Sequence, residues 1–79
     1  MDNKQKLDQI FITNLGVTAD ELNDDLNVLT ADNWDSVMQL TLVSELEDTF
    51  DVMFDSDDVV ELTSYTAAKE ILSRMGVEL

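Results

Sequence analysis

The chain has 79 residues, 18 of them acidic and four basic, with no His and no Cys. That is one small domain, residues 1–79, stabilised by no disulfide and offering no thiolate metal site. A formal net charge of -14 repels nucleic-acid phosphates and anionic lipid surfaces and selects partners with basic patches instead.

Leu7, Ile10, Phe11 and Leu15 share one helical face, which predicts a first helix from about residue 3 to 15. Gly16 supplies its stop signal. The connection from Val17 to Trp34 is long for a structureless loop in a small domain. Leu22, Leu26, Val28 and Leu29 punctuate it, so it is expected to be pinned across the core. A second helix is predicted from about Ser36 to Phe50, with Val37, Leu40, Val43, Leu46 and Phe50 as its inner face. Glu45, Glu47 and Asp48 flank that face.

After a turn at Asp51 to Phe54, the run Asp55-Ser56-Asp57-Asp58 supplies the start of a brief third helix reaching about Leu62. Thr63 or Ser64 can cap a fourth, with Tyr65, Ala68, Ile71 and Leu72 inward and Gly76 as its stop. Apolar residues nowhere alternate with a period of two, Pro is absent and Gly occurs twice. The expected fold is all-α: a small four-helix bundle, three main helices plus one short third helix, with a long ordered loop between helices one and two.

Catalysis by the chain's own side chains finds no support. A nucleophilic Ser needs a base within hydrogen-bond reach, and there is no His. Lys69 is the only basic amine outside the N-terminal segment, and nothing in the sequence places it near Ser36. With 18 acids, paired carboxylates arise by chance. Asp51, Asp55, Asp57, Asp58 and Glu61 cluster, but an EF-hand loop needs Gly at its sixth position and a bidentate Glu at its twelfth. Neither is present. The cluster reads as a helix cap with solvated acids, with weak Ca²⁺ or Mg²⁺ screening left open, and no metal site is assigned.

Ser36 is notable for its position. It opens the second helix, where unpaired backbone N–H groups and the helix dipole favour an anion. A phosphodiester there would gain roughly 0.3–1 kcal/mol. Both Asp35 and Ser36 are strong N-cap residues, and on local pattern alone a cap-only reading carries more weight.

The run Trp34-Asp35-Ser36-Val37, then Leu40, Val43, Leu46-Glu47, Phe50 and Phe54, resembles the acyl carrier protein family. That family has an Asp-Ser-Leu motif at the start of its second helix and a Leu-Glu-x-x-Phe segment after it. Leu62-Thr63-Ser64-Tyr65-Thr66-Ala67-Ala68 is similar to the family's approach to its last helix, so the resemblance covers nearly the whole chain. It implies a freestanding carrier and not an enzyme. A phosphopantetheinyl transferase would attach 4′-phosphopantetheine from coenzyme A to Ser36, with Asp35 as cap and transferase contact. The thiol of the arm would hold acyl, aminoacyl or polyketide groups as thioesters for fatty-acid or specialised biosynthesis.

The resemblance further implies that partner enzymes with basic patches read Glu45, Glu47 and Asp48, beside Val37 and Met38. Leu46, Phe50, Phe54, Val59, Leu62 and Ala68 are candidate walls of an acyl cleft, or simply core. Three positions depart from the family pattern. Val37 replaces the usual Leu, read as one methylene lost at a buried contact. Trp34 stands where fatty-acid carriers commonly have a small residue, which resembles carriers of specialised pathways. Thr41 stands where many fatty-acid carriers have an acid. Met38 either adds an adaptable apolar contact beside the arm or is exposed by chance.

The alternative is an acidic helical adaptor that binds basic surfaces and carries no arm. No apolar run approaches the roughly 20 residues that span a bilayer. The N-terminal stretch, with Asp2, Lys4, Lys6 and Asp8, lacks a secretory core. A cytoplasmic monomer without membrane insertion or a nucleic-acid partner is the expectation.

Overall fold

The computed structural model describes residues 2–79. Helix α1, Asn3–Leu15, starts on a capping box: Asp2 Oδ1 accepts from the Gln5 N–H at 2.8 Å, and Gln5 Oε1 accepts from the Asp2 N–H at 3.0 Å. These reciprocal bonds satisfy donors that the first turn leaves without helical partners. The helix buries Leu7, Ile10, Phe11 and Leu15, as their spacing predicts. It ends at Gly16, whose φ of 68° is left-handed and whose N–H reaches Ile12 O at 3.0 Å. A residue without Cβ takes that conformation at no steric cost.

Helix α2, Ser36–Phe50, is followed by Asp51, also left-handed at φ 54°. Asp is one of the few side-chain-bearing residues that visit this region. Helix α3, Ser56–Glu61, has six residues and its own capping box. The Asp58 N–H donates to Asp55 Oδ1 at 2.9 Å, and the Asp55 N–H to Asp58 Oδ2 at 3.2 Å. Helix α4, Tyr65–Arg74, is capped by Ser64, whose Oγ accepts from the Ala67 N–H at 2.9 Å. Its buried residues are Tyr65, Ala68, Ile71 and Leu72, the predicted set.

The connection between α1 and α2 is ordered. It holds one 3-10 turn, Ala19–Glu21. Across the α3–α4 junction the Val28 N–H donates to Thr63 O at 2.9 Å, and the Tyr65 N–H to Leu26 O at 3.0 Å. These bonds flank an isolated antiparallel bridge, Asn27 to Ser64, and Thr66 Oγ1 adds a bond to Asp24 Oδ1 at 2.7 Å. Leu26 is buried, and Leu22 and Val28 are half-buried against the core. Leu29, predicted to join them, is 91% exposed: its N–H is held by Asn27 Oδ1 at 2.8 Å in a local turn that aims its side chain outward.

The inner face of α2 also differs from expectation. Leu42, Val43 and Leu46 are buried, whereas Val37 and Leu40 are 73% and 65% exposed. The reason is geometric. At 3.6 residues per turn each step of three falls about 60° short of a full turn, so Val37 lies about 180° from Leu46. The apolar row spirals from solvent into the core. Val37 is therefore an exposed side chain, and its difference from Leu removes a methylene from the surface and not from a buried contact.

Phe11 ties the helices together. It is completely buried, with Trp34 edge-on at 5.7 Å and Tyr65 edge-on at 5.4 Å between ring centroids. Around it the core carries no charged or polar residue that is itself buried, among the described residues. The acids therefore sit at the surface, where 18 of them face four bases. Added NaCl or Mg²⁺ is expected to raise the melting temperature, because screening lengths drop from roughly 30 Å at 0.01 M salt to about 10 Å at 0.1 M. A flat calorimetric Tm over that range would show that the acids are too dispersed to repel one another.

Candidate functional site

Asp35 and Ser36 sit where the long connection turns into α2. The backbone of Asp35 is extended, and its Oδ1 accepts from the Met38 N–H at 2.9 Å. Its carbonyl takes the Gln39 N–H at 2.9 Å. Asp35, not Ser36, is therefore the cap. That leaves Ser36 as the first helical residue, its side chain exposed at the positive end of the helix dipole. Trp34, one residue earlier, is only 6% exposed and anchors the mouth of α2 against Phe11. Asp35 and Ser36 thus stand on a fixed pivot.

Beside Ser36 lies a cleft of about 370 Å³ between the connection, α2 and α3. Trp34, Ser36, Gln39, Val60, Leu62 and Thr63 are among its walls. Gln39, to which the sequence reading assigned nothing, is the most heavily bonded side chain there. Its Oε1 accepts the Trp34 indole N–H at 2.7 Å, and its Nε2 donates to Val59 O and Leu62 O, each at 2.8 Å. A larger open depression, about 800 Å³, lies along α4 between Glu61, Lys69, Arg74 and Leu79. There Arg74 Nη2 is taken by Glu61 at 2.5 Å and Asp58 at 3.7 Å, and the depression shares no lining residue with the cleft beside Ser36.

The acids named on α2 have different surroundings. Glu45 is half-buried and accepts from the Asn14 carboxamide, joining α2 to α1. Glu47 is half-buried, and its Oε2 accepts from the Phe54 N–H at 2.8 Å, closing the turn after α2. Asp48 is exposed. Met38 is half-buried at the edge of the core. Of the six cleft-wall candidates, Leu46, Leu62 and Ala68 are completely buried, and Phe50, Phe54 and Val59 are half-buried against them. Asp55 and Asp58 are occupied in the cap of α3, and no group of three acidic or metal-ligating side chains converges among the described residues.

A family model for the phosphopantetheine attachment site matches residues 5–72. The chain belongs to that family. No curated protein matches it at a significant level. Membership makes the protein a carrier of the acyl carrier type, one that bears covalent 4′-phosphopantetheine and is not itself an enzyme. The residues present fit such a group. They offer an exposed hydroxyl, a helix N-terminus suited to a phosphodiester, and an adjoining cleft whose wall is part apolar, with Val28 and Val60, and part polar, with Thr63 and Gln39. Among the described residues, no helix of the carrier is long and apolar enough to cross a membrane.

Proposed function

We propose that Ser36 is the residue of this carrier that bears 4′-phosphopantetheine, and that the protein delivers acyl, aminoacyl or polyketide intermediates to partner enzymes. The carrying observation is the pairing of an exposed Ser36 with a neighbour, Asp35, locked as the helix cap. Attachment forms one P–O bond from Ser36 Oγ to the phosphorus that bears the pantetheine arm of coenzyme A. The pyrophosphate bond breaks, 3′,5′-ADP leaves, and a base of the transferase takes the hydroxyl proton, since this chain has no His or Cys. The thiol of the attached group supplies the thioester chemistry that the polypeptide lacks.

The chain's own work is presentation and docking. Cap bonds hold the first turn of α2 rigid while Ser36 points outward. Val37 and Leu40 present an apolar row beside Ser36, with Asp48 farther along the helix. An acidic field around a small apolar contact suits basic partner patches. Steering of this kind speeds encounter more than it deepens affinity. Glu45 and Glu47 contribute charge to that field while keeping their intramolecular bonds. A cytoplasmic monomer serving fatty-acid or specialised biosynthesis fits these features.

Intact mass is expected to rise by one phosphopantetheine when the protein is incubated with coenzyme A and a permissive transferase. Ser36→Ala is expected to abolish the increase while retaining the helical circular dichroism. Wild type left unmodified by several transferases, or a Ser36→Ala variant that still gains the mass, would remove Ser36 from this role. The first of those results would also revive the reading of an acidic adaptor without an arm.

A further inference from the structure

A helix of six residues cannot satisfy its own final carbonyls. At the end of α3, Val59 O keeps only the Leu62 N–H at 3.4 Å, because the Thr63 N–H turns back to Glu61 O at 2.8 Å, and Leu62 O lies just past the last turn. Another helix supplies the missing donors. Both N–H bonds of the Gln39 carboxamide are committed to these two carbonyls at 2.8 Å, and its oxygen receives the Trp34 indole N–H at 2.7 Å. Trp34 is held in turn by Phe11, its ring edge-on at 5.7 Å. One amide side chain thus joins the mouth of α2, the end of α3 and the aromatic centre of the core. It stands in the wall of the cleft beside Ser36, next to Leu62, which is completely buried.

We propose that Trp34 and Gln39 form a polar latch that closes the seam between α2 and α3, confining cargo to the surface cleft and fitting this carrier to short acyl groups. The inference rests on Ser36 as the attachment point. A chain that enters the core between α2 and α3 must displace the Gln39 carboxamide. Doing so takes the partner from the indole N–H and from Leu62 O and leaves Val59 O only the Leu62 N–H at 3.4 Å, and a part-buried group that loses its partner is destabilising. Together these losses offset the burial of about four methylenes. Acyl chains of up to about six carbons, with about four methylenes to bury, therefore have nothing to gain inside, and the cleft of about 370 Å³ gives them room outside.

The test uses ¹⁵N-labelled protein bearing butanoyl or hexanoyl phosphopantetheine through a hydrolysis-stable amide, with the unacylated form as reference. In wild type, neither chain is expected to shift the backbone amides of Leu46, Leu62 or Ala68, and the Trp34 indole proton is expected to remain slow to exchange. In Gln39→Ala the indole proton should exchange faster, and hexanoyl, but not butanoyl, should shift the three interior amides. Trp34→Phe keeps an aromatic ring facing Phe11, removes the indole N–H, and replaces Gln39→Ala, read by the interior amides alone, if that variant does not fold. Interior shifts with hexanoyl in wild type would overturn the latch, as would a folded variant that responds as wild type does. Failure of the mass increase itself strikes the attachment reading, whereas a full mass increase with interior shifts strikes only the latch.

Discussion

Phe11→Ala is expected to leave the protein unfolded at 25 °C, read as loss of the cooperative urea transition and of most helical circular dichroism. Phe11 is 0% exposed and touches both other large aromatic side chains of the core. Its removal opens a cavity, at a cost of about 3–5 kcal/mol for a buried Phe. Each lost edge-to-face pair adds about 0.5–1.5 kcal/mol. A domain this small has only about 5 kcal/mol in hand, so the loss matches the whole margin. Phe11→Leu keeps most of the volume and is expected to stay folded with a lowered urea midpoint. The consequence reaches the candidate site, because Trp34 loses the wall that positions it one residue before Asp35. A Phe11→Ala protein that unfolds cooperatively within about 1 kcal/mol of wild type would show that the core closes over the gap.

The parts of the fold that were legible in the sequence are those set by neighbours three or four residues away. Capping at Ser64 and Asp55, the left-handed stop at Gly16, and the buried faces of α1 and α4 all follow from such short-range chemistry. The place of Ser36 at the start of α2 was legible for the same reason, but Asp35 and Ser36 are both good caps, and only the bond from the Met38 N–H to Asp35 Oδ1 decides that Asp35 takes the cap. Two things were not. The apolar row on α2 looked continuous because steps of three and four both read as helical, although a run of threes drifts off any one face. Val37 and Leu40 are exposed on that account. Gln39 was invisible because its carbonyl partners lie 20 and 23 residues away, and a Gln in a surface helix carries no signal of distant bonding. The turn at Asn27 that throws Leu29 outward likewise depends on side-chain bonds within the connection.

Raising the pH from about 10 to 12 is expected to destabilise the protein by about 2 kcal/mol through Tyr65, the only Tyr in the chain. Its hydroxyl donates to Asp8 Oδ1 at 2.5 Å. Burial of the phenol, reinforced by that hydrogen bond and by the Asp8 charge, pushes its pKa up to about 12 from an ordinary 10.0. Between those values the folded state holds a proton that the unfolded state has lost, so stability declines as pH rises. The contribution is intact below 10 and gone once the folded pKa is passed; each pKa unit corresponds to about 1.4 kcal/mol. Lys4, whose pKa is raised chiefly by its hydrogen bond to Asp8 at 2.8 Å, loses its charge in an overlapping window. Tyr65→Phe separates the two. It should cost about 1 kcal/mol at neutral pH for the lost hydrogen bond and flatten most of the alkaline decline, leaving the Lys4 part. Urea midpoints measured from about pH 8 to 12, with phenolate absorbance followed in parallel, check both outcomes. A phenol that ionises near 10 in the folded protein, or a Tyr65→Phe variant that declines as steeply as wild type, would mean that the hydroxyl does not clamp α1 onto α4. The aromatic cluster behind Trp34 would then owe its order to packing alone.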